Sequence, residues 1–257
     1  MELALYHPEH GYYATTPQRS GKHGDFFTSV DVGPLFGRMI AVQLAEMWRV
    51  LEASGADHFD LVEAGAGNGR LARDILDAAF SEHPAFYDRV RLTLVERSIV
   101  ARAAQLDTLG PHAGRLISSS DRLPRGVTGV IVANELLDAL PVHVVAMTTA
   151  GVCEIGVGAR NGALVELDMP LSHPALASRV DLEMDARAEV GLAADEWMRE
   201  AALSLERGFM LLFDYGYDVP VAHSPAHAHG TRSGPTHAGH GLQRYPPGSG
   251  RSAAGGL

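Results

Sequence analysis

The apolar residues of the chain follow two periodicities that alternate along it. Short apolar runs typical of buried strands occur at 60–64, 90–95, 129–134 and 208–215, and a further strand is predicted at 115–120. Apolar residues at helical spacing occur at 33–53, 70–80, 98–109 and 192–207. Because strands and helices alternate, we predict a Rossmann-like α/β fold with a doubly wound, mostly parallel sheet.

Two regions depart from this alternation. Residues 142–169 contain three short strand-like runs, and the second and third are joined by Asn161-Gly162, a strong hairpin signal. We therefore expect a small β-meander inserted after the fourth strand. Residues 1–32 are dense in Tyr, His, Gly and Asp and are predicted to form an ordered loop region.

The last part of the chain has an unusual composition. Residues 221–257 contain no Asp or Glu and are rich in Gly, Pro, His, Ser, Ala and Arg. Such a segment buries too little apolar surface to offset its ordering entropy. We therefore predict one domain over residues 1–220, followed by a tail that is disordered or out of frame. The tail histidines lack a framework among glycines and prolines, so no metal site is predicted.

Composition narrows the class of protein. The chain has 257 residues and a formal net charge of −10, which argues against nucleic acid as a partner because phosphate binding needs clustered Lys and Arg. The lone cysteine, Cys153, excludes an intramolecular disulfide. No apolar run reaches the ~18–20 residues of a membrane span. Because no signal-peptide pattern follows Met1, we expect a cytoplasmic location.

The densest chemical signal follows the first strand. An acid-x-Gly-x-Gly-x-Gly pattern, formed by Glu63, Gly65, Gly67 and Gly69, lies between a strand and a helix. Residues 65–69 are called the glycine loop below. Glycine tolerates positive φ and lets a ligand approach the backbone closely, and the N–H groups at a helix start favour anionic groups. The pattern favours a nucleotide-like cofactor over a glycine-rich turn without a ligand.

The position of the next acid indicates which cofactor. In a dinucleotide-binding fold the ribose-binding acid lies roughly 20 residues beyond the glycines, whereas Glu96, at the end of the second strand, lies 27 positions after Gly69. This spacing is longer than that of dinucleotide sites and disfavours NAD. An acid two residues before the first glycine and another at the end of the second strand resemble the sites of class I S-adenosylmethionine (SAM) methyltransferases. The alternative is that Glu96 is a solvated charge at a strand end.

A second group of polar residues follows the fourth strand. Ligands of open α/β sheets bind beyond the carboxyl ends of the strands, where the strand order reverses, so Asn134, Glu135 and Asp138 are predicted to face the glycine loop. Carboxylates there suit a cationic nucleophile such as an arginine guanidinium, which they pair with bidentately. The alternative is a helix N-cap with a solvated carboxylate.

Six motifs occur in an order and spacing that resemble the MidA-like class I SAM-dependent methyltransferases. They lie at 6–14, 24–37, 61–71, 95–98, 134–142 and 211–217. The resemblance implies that Glu63, the three glycines, Glu96 and Asp121 hold SAM. It also implies that the reaction end, the part of the site where the methyl group is transferred, is lined by Asp25, Asn134, Glu135 and Asp138.

The function implied by this resemblance is arginine N-methylation of a protein substrate, such as a respiratory-complex subunit. The runner-up is a catalytically weak member that acts as a binding or assembly module. The family's closing strands are not recognisable after Tyr217. Tyr6, Tyr12 and Tyr13 either cover the cofactor or pack a small core.

Overall fold

The computed structural model of the protein describes residues 1–7, 9–15 and 33–214. The helices are α1 (Glu2–Tyr6), α2 (Tyr12–Thr15), α3 (Leu35–Ala53), α4 (Arg70–Glu82), α5 (Pro84–Tyr87), α6 (Ile99–Leu109), α7 (Ala175–Ser178) and α8 (Leu192–Ser204), with a 3₁₀ helix at Gly110–Arg115. The strands are β1 (Phe59–Ala64), β2 (Val90–Val95), β3 (Leu116–Ser120), β4 (Val127–Asn134), β5 (His143–Thr148), β6 (Gly151–Arg160), β7 (Ala163–Met169), β8 (Arg187–Val190) and β9 (Leu205–Phe213).

Five strands form a parallel sheet in the order β3-β2-β1-β4-β9. The chain builds outward from β1 to β3 and then returns, so that β4 pairs with the other side of β1. The order of strands therefore reverses between β1 and β4. The predicted fold class is confirmed.

Helices cover both faces of this sheet. Alternate residues of β1 point to opposite sides, so Phe59 and Leu61 join a core under α3 and α4, while Val62 and Ala64 join a second core on the other face with α8. Strands buried on both faces read as continuous apolar runs, which explains why the sequence pattern located them.

Strands β1, β4 and β9 approach each other closely at two glycines. Gly129 of β4 pairs with Asp60 of β1 and with Gly208 of β9. A Cβ added to Gly129 would overlap the backbone of Asp60, and one added to Gly208 would overlap the carbonyl of Gly129. The φ of Gly129 is also 156°, a conformation that few other residues adopt. The centre of the sheet therefore depends on glycine at these two positions.

Between β4 and α8 the chain forms a separate antiparallel sheet of order β7-β6-β5-β8. The turn between β6 and β7 has positive φ at Asn161 and Gly162, 55° and 77°, as the Asn-Gly hairpin signal predicts. The sheet has its own small core around Val145, Leu176 and Val190. Its fourth strand, β8, has only four residues and was not identified in the sequence.

Two expectations about secondary structure were wrong. Helix α8 ends at Ser204 rather than residue 207, because Leu205 and Arg207 already pair with β4. The described part of the first 32 residues contains two short helices instead of a loop alone. Asp25 and the tail 221–257 lie outside the described residues. No helix within 1–7, 9–15 or 33–214 is long and apolar enough to cross a membrane.

We expect Gly129→Ala to destabilise the protein by about 3 kcal/mol or more, because the new Cβ overlaps a neighbouring strand in a backbone conformation reserved for glycine. Urea unfolding followed by circular dichroism measures the change. The control is Gly55→Ala, which also has positive φ, 91°, but no atom within 4 Å of the added Cβ. Equal losses in both variants would show that close strand approach is not the cause.

Candidate active site

The loops that follow the parallel strands meet at one edge of the sheet. The glycine loop follows β1, Glu96 follows β2, Asp121 follows β3, and Asn134 ends β4. Because β1 and β4 are neighbours, the loops that follow them lie side by side where the strand order reverses. Open α/β sheets bind their ligands beyond this point, in the region called the cleft below. The structure therefore brings the predicted cofactor and reaction-end residues within 1–7, 9–15 and 33–214 to the same edge.

The glycine loop has the backbone conformation that its sequence predicts. Gly65, Gly67 and Gly69 have φ values of 71°, 52° and 85°. Gly69 is the N-cap of α4, and a Cβ built on Gly67 would meet no atom of the described residues within 4 Å. At Gly67 it is therefore the backbone conformation that requires glycine.

Glu96 holds this loop in place. Its Oε2 accepts a hydrogen bond from the Gly67 N–H at 2.9 Å, and its Oε1 accepts one from the Ser98 N–H at 2.7 Å. An ionised carboxylate offers about four acceptor positions. Glu96 can therefore bind two further donors, such as ribose hydroxyls, while it orients the loop.

Sequence reasoning missed Gln105, which supports the same loop from α6. Its Nε2 donates to the Gly67 carbonyl at 2.8 Å, and its Oε1 accepts from the Ser119 hydroxyl at 2.6 Å. The side chain is fully buried. A polar residue one helical turn before the buried Leu109 was the signal that could have identified it.

Glu63 is a buried acid under the glycine loop. The residue is 5% exposed, and its Oε2 has no hydrogen-bond partner among the residues that the structure describes. Burial raises the pKa of Glu63 to about 8; the Ala72 N–H opposes this shift, and the negative charges of Glu96 and Asp74 add to it. The folded protein without a ligand therefore holds Glu63 largely protonated at neutral pH.

The loop after β4 contains a backbone outlier. Glu135 has a φ of 49°, a left-handed conformation uncommon for residues other than Gly, Asn and Asp. Its N–H donates to the carbonyl of Phe213, the last residue of β9, at 2.7 Å. Neighbouring strands thus hold a predicted reaction-end residue in a strained conformation, which is typical of functional sites.

Asp214 is a second residue that sequence reasoning did not assign to the site. Its Oδ2 accepts hydrogen bonds from the N–H groups of Leu137 and Asp138, at 2.9 and 3.3 Å. Asp214 comes directly after β9, so the rule that the carboxyl ends of parallel strands share one edge could have placed it here. Asp138 and Asp121 are both exposed.

These features fit SAM. The orphaned oxygen of Glu63 lies in a site that a cationic ligand group would stabilise, because a nearby positive charge favours the ionised carboxylate. The open space at Gly67 admits a ligand against the backbone. The spare acceptor positions of Glu96 suit a diol.

Comparison with known proteins agrees with this geometry. Residues 39–237 match the model of a family described as "Putative S-adenosyl-L-methionine-dependent methyltransferase". The chain belongs to this family. Within the solved structures, a Burkholderia thailandensis protein bound to S-adenosyl-homocysteine is similar at 34% identity with a TM-score of 0.72, over 84% of this chain and 57% of that one.

The similar curated proteins are arginine methyltransferases by name. The Drosophila melanogaster "Protein arginine methyltransferase NDUFAF7 homolog, mitochondrial" is 27% identical over 84% of this chain and 56% of its own length. The Danio rerio "Protein arginine methyltransferase NDUFAF7, mitochondrial" is 28% identical over 85% and 57%. The chain therefore spans little more than half the length of these relatives. Because they are mitochondrial by name, the expectation of a cytoplasmic location is contradicted.

Glu63 predicts a pH dependence of stability. The unfolded carboxyl ionises near pH 4.3, whereas the folded protein keeps its proton until about pH 8. Between these values the folded state binds more protons, so this group's contribution to stability falls as pH rises, by at most about 1.4 kcal/mol per pH unit. We expect Glu63→Gln to remove this slope, measured by urea unfolding at pH 5 to 8.

The control for this experiment is Glu52→Gln on the exposed end of α3. That variant is expected to follow the wild type at every pH. If the stability difference between Glu63→Gln and wild type did not grow with pH, Glu63 would be ionised in the folded state, and the burial argument would fail.

We also expect Gly67→Val to weaken binding of S-adenosylhomocysteine by about 3 kcal/mol, roughly a hundredfold in Kd, because a β-branched side chain is strained at positive φ and fills the ligand space. Isothermal titration calorimetry measures the affinity. The matched control is Gly110→Val, which shares a φ of 52° and open surroundings but ends α6 at the opposite edge of the sheet. Comparable affinity of both variants would contradict the placement of the cofactor.

Proposed function

We propose that this protein transfers a methyl group from SAM to an arginine side chain of a protein substrate. The observation that carries the proposal is that two loops meet at the cleft. One is the glycine loop, which Glu96 holds, and the other is the acidic loop, residues 135–142, which carries Glu135. The named relatives support arginine as the acceptor and a protein as the substrate.

The cofactor side is formed by residues around the glycine loop. Glu96 would accept hydrogen bonds from the ribose, and Gly67 would let the ligand lie against the backbone. Glu63 would ionise beside a positively charged group, which recovers part of the cost of burying its carboxyl. When bound, SAM supplies an activated methyl group on a sulfonium sulfur and leaves as S-adenosylhomocysteine.

The substrate side is formed by the acidic loop. A guanidinium presents a planar fork of N–H donors that matches a carboxylate bidentately. The Glu135 carboxylate would bind two N–H groups of the guanidinium and draw its positive charge towards them. A guanidinium nitrogen that is not bound would then be free to take the methyl group. The guanidinium then loses one proton to solvent, and the charge balance is kept. Alignment is the main requirement of such a displacement.

Asp214 and β9 have a positioning role in this scheme. Two N–H groups of the acidic loop bind the Asp214 carboxylate, and the Glu135 N–H binds the end of β9. The loop therefore moves with the sheet and keeps Glu135 at a set distance from the glycine loop. Asn134, Asp138 and Asp25 remain further candidates for the reaction end, and a respiratory-complex subunit is the substrate that the family resemblance favours.

The cofactor part of the proposal is tested by calorimetry of the purified chain with SAM, S-adenosylhomocysteine and NAD. Binding of the first two but not of NAD is expected. The acceptor part is tested with radiolabelled SAM and two peptide libraries that differ only in a central Arg or Lys. Methyl transfer confined to the Arg library supports the proposal, whereas cofactor binding without transfer to either library would favour a binding or assembly module.

We expect Glu135→Gln to lower kcat by roughly a hundredfold while the Kd for SAM stays unchanged, because an amide cannot pair with a guanidinium as a carboxylate does and the acceptor loses its alignment. Single-turnover methylation of the Arg library and calorimetry measure the two quantities. Glu189→Gln, an exposed change on β8, serves as control. Parallel loss of cofactor affinity and rate would instead assign Glu135 to the cofactor or to the fold.

A further inference from the structure

Tyr6 of α1 touches both walls of the cleft. Its hydroxyl donates to the Ala139 carbonyl in the acidic loop at 3.2 Å. On the other side, the Arg97 guanidinium carbon lies 3.8 Å from the centre of the Tyr6 ring. Arg97 directly follows Glu96, and Ala139 directly follows Asp138, so one side chain joins the loop after β2 to the loop after β4.

Other contacts of the first fifteen residues reinforce this bridge. Arg97 also binds Glu2 through an Nη2–Oε1 distance of 3.0 Å. The Tyr6 and Tyr13 rings stack with centroids 5.3 Å apart, and the Val142 N–H lies 3.4 Å from the Met1 sulfur. Helix α1 and its N-cap Met1 are thus fastened at several points to the loops that form the cleft, and α2 is held to α1 by the stacked tyrosines.

The electrostatic surroundings of the Tyr6 and Tyr13 hydroxyls agree with a position at the mouth of the cleft. Burial raises the pKa of Tyr13, and the negative charges of Asp138 and Glu96 add to the shift. Tyr13 therefore lies within electrostatic range of an acid from each wall. Burial likewise raises the pKa of Tyr6 to about 12, so both phenols stay neutral and act as hydrogen-bonding groups.

We infer that the described residues 1–7 and 9–15 form a strap across the cleft, and that Tyr6 is the positioning residue that fastens it and slows release of the bound cofactor. The inference rests on the proposed SAM site. A ligand on the glycine loop lies between the two loops that Tyr6 joins, so it leaves only when the Ala139 hydrogen bond and the Arg97 stack have separated. Of the two roles considered for these tyrosines, covering the cofactor is the one that this bridge supports.

The test measures dissociation of S-adenosylhomocysteine from the full chain by stopped-flow displacement. Tyr6→Phe keeps the ring and loses the hydroxyl, so release should accelerate about threefold to tenfold. Arg97→Ala should accelerate it by a similar factor, and Tyr6→Ala by more than either. Association rates should change far less than dissociation rates. Tyr87→Phe, which removes a buried hydroxyl bonded to His112 away from the cleft, should leave release unchanged.

A second measurement distinguishes loss of the Tyr6 contact with the acidic loop from a loss of stability of the whole protein. In the wild type, S-adenosylhomocysteine should slow amide hydrogen exchange in residues 135–141, and Tyr6→Phe should lose most of this ligand-dependent protection at an unchanged Tm. Wild-type release rates in both Tyr6→Phe and Arg97→Ala would overturn the strap while the proposed function stands. A wild-type chain that fails to bind the ligand would overturn both.

Discussion

The return of β4 to the far side of β1 is the constraint on which the site depends. Because the sheet is built outward from β1 and then resumed beside it, the loops after β1 and β4 lie side by side, at the place where open α/β sheets bind their ligands. The pairing is close enough at Gly129 that a side chain there would collide with β1. Changes in this pairing would shift both walls of the cleft together, since each loop starts where its strand ends.

The loops themselves are held by polar groups rather than by packing. Glu96 and Gln105 bind the N–H and the carbonyl of Gly67 from two different elements, and Asp214 binds two N–H groups of the acidic loop. Hydrogen bonds of this kind fix the orientation of the donors and acceptors of both loops. Such preorganisation would let the proposed displacement reaction proceed with little reorganisation.

The sequence predicts well what depends on local pattern. The central strands β1 and β4 are apolar on both faces, and the glycine loop combines an apolar strand, an acid and three glycines, so both are visible in the chain itself. Gln105, Asp214 and β8 were missed because their roles are set by partners far away in sequence: Gly67, the acidic loop and β5. The end of α8 was misplaced for the same reason, since pairing of Leu205 with β4 overrides helical spacing.

Two acids of the cleft are kept in states that the folded protein does not favour on its own. Glu63 is buried with an unpartnered oxygen, and Glu135 has a left-handed backbone. Both costs lie at the same edge of the sheet, while the cores under α3, α4 and α8 are apolar and regular. A cation near Glu63 would stabilise its ionised form, and a guanidinium at Glu135 would use a carboxylate that the backbone already presents. In the proposed function, both costs in stability lie where the cofactor and the guanidinium would carry positive charge.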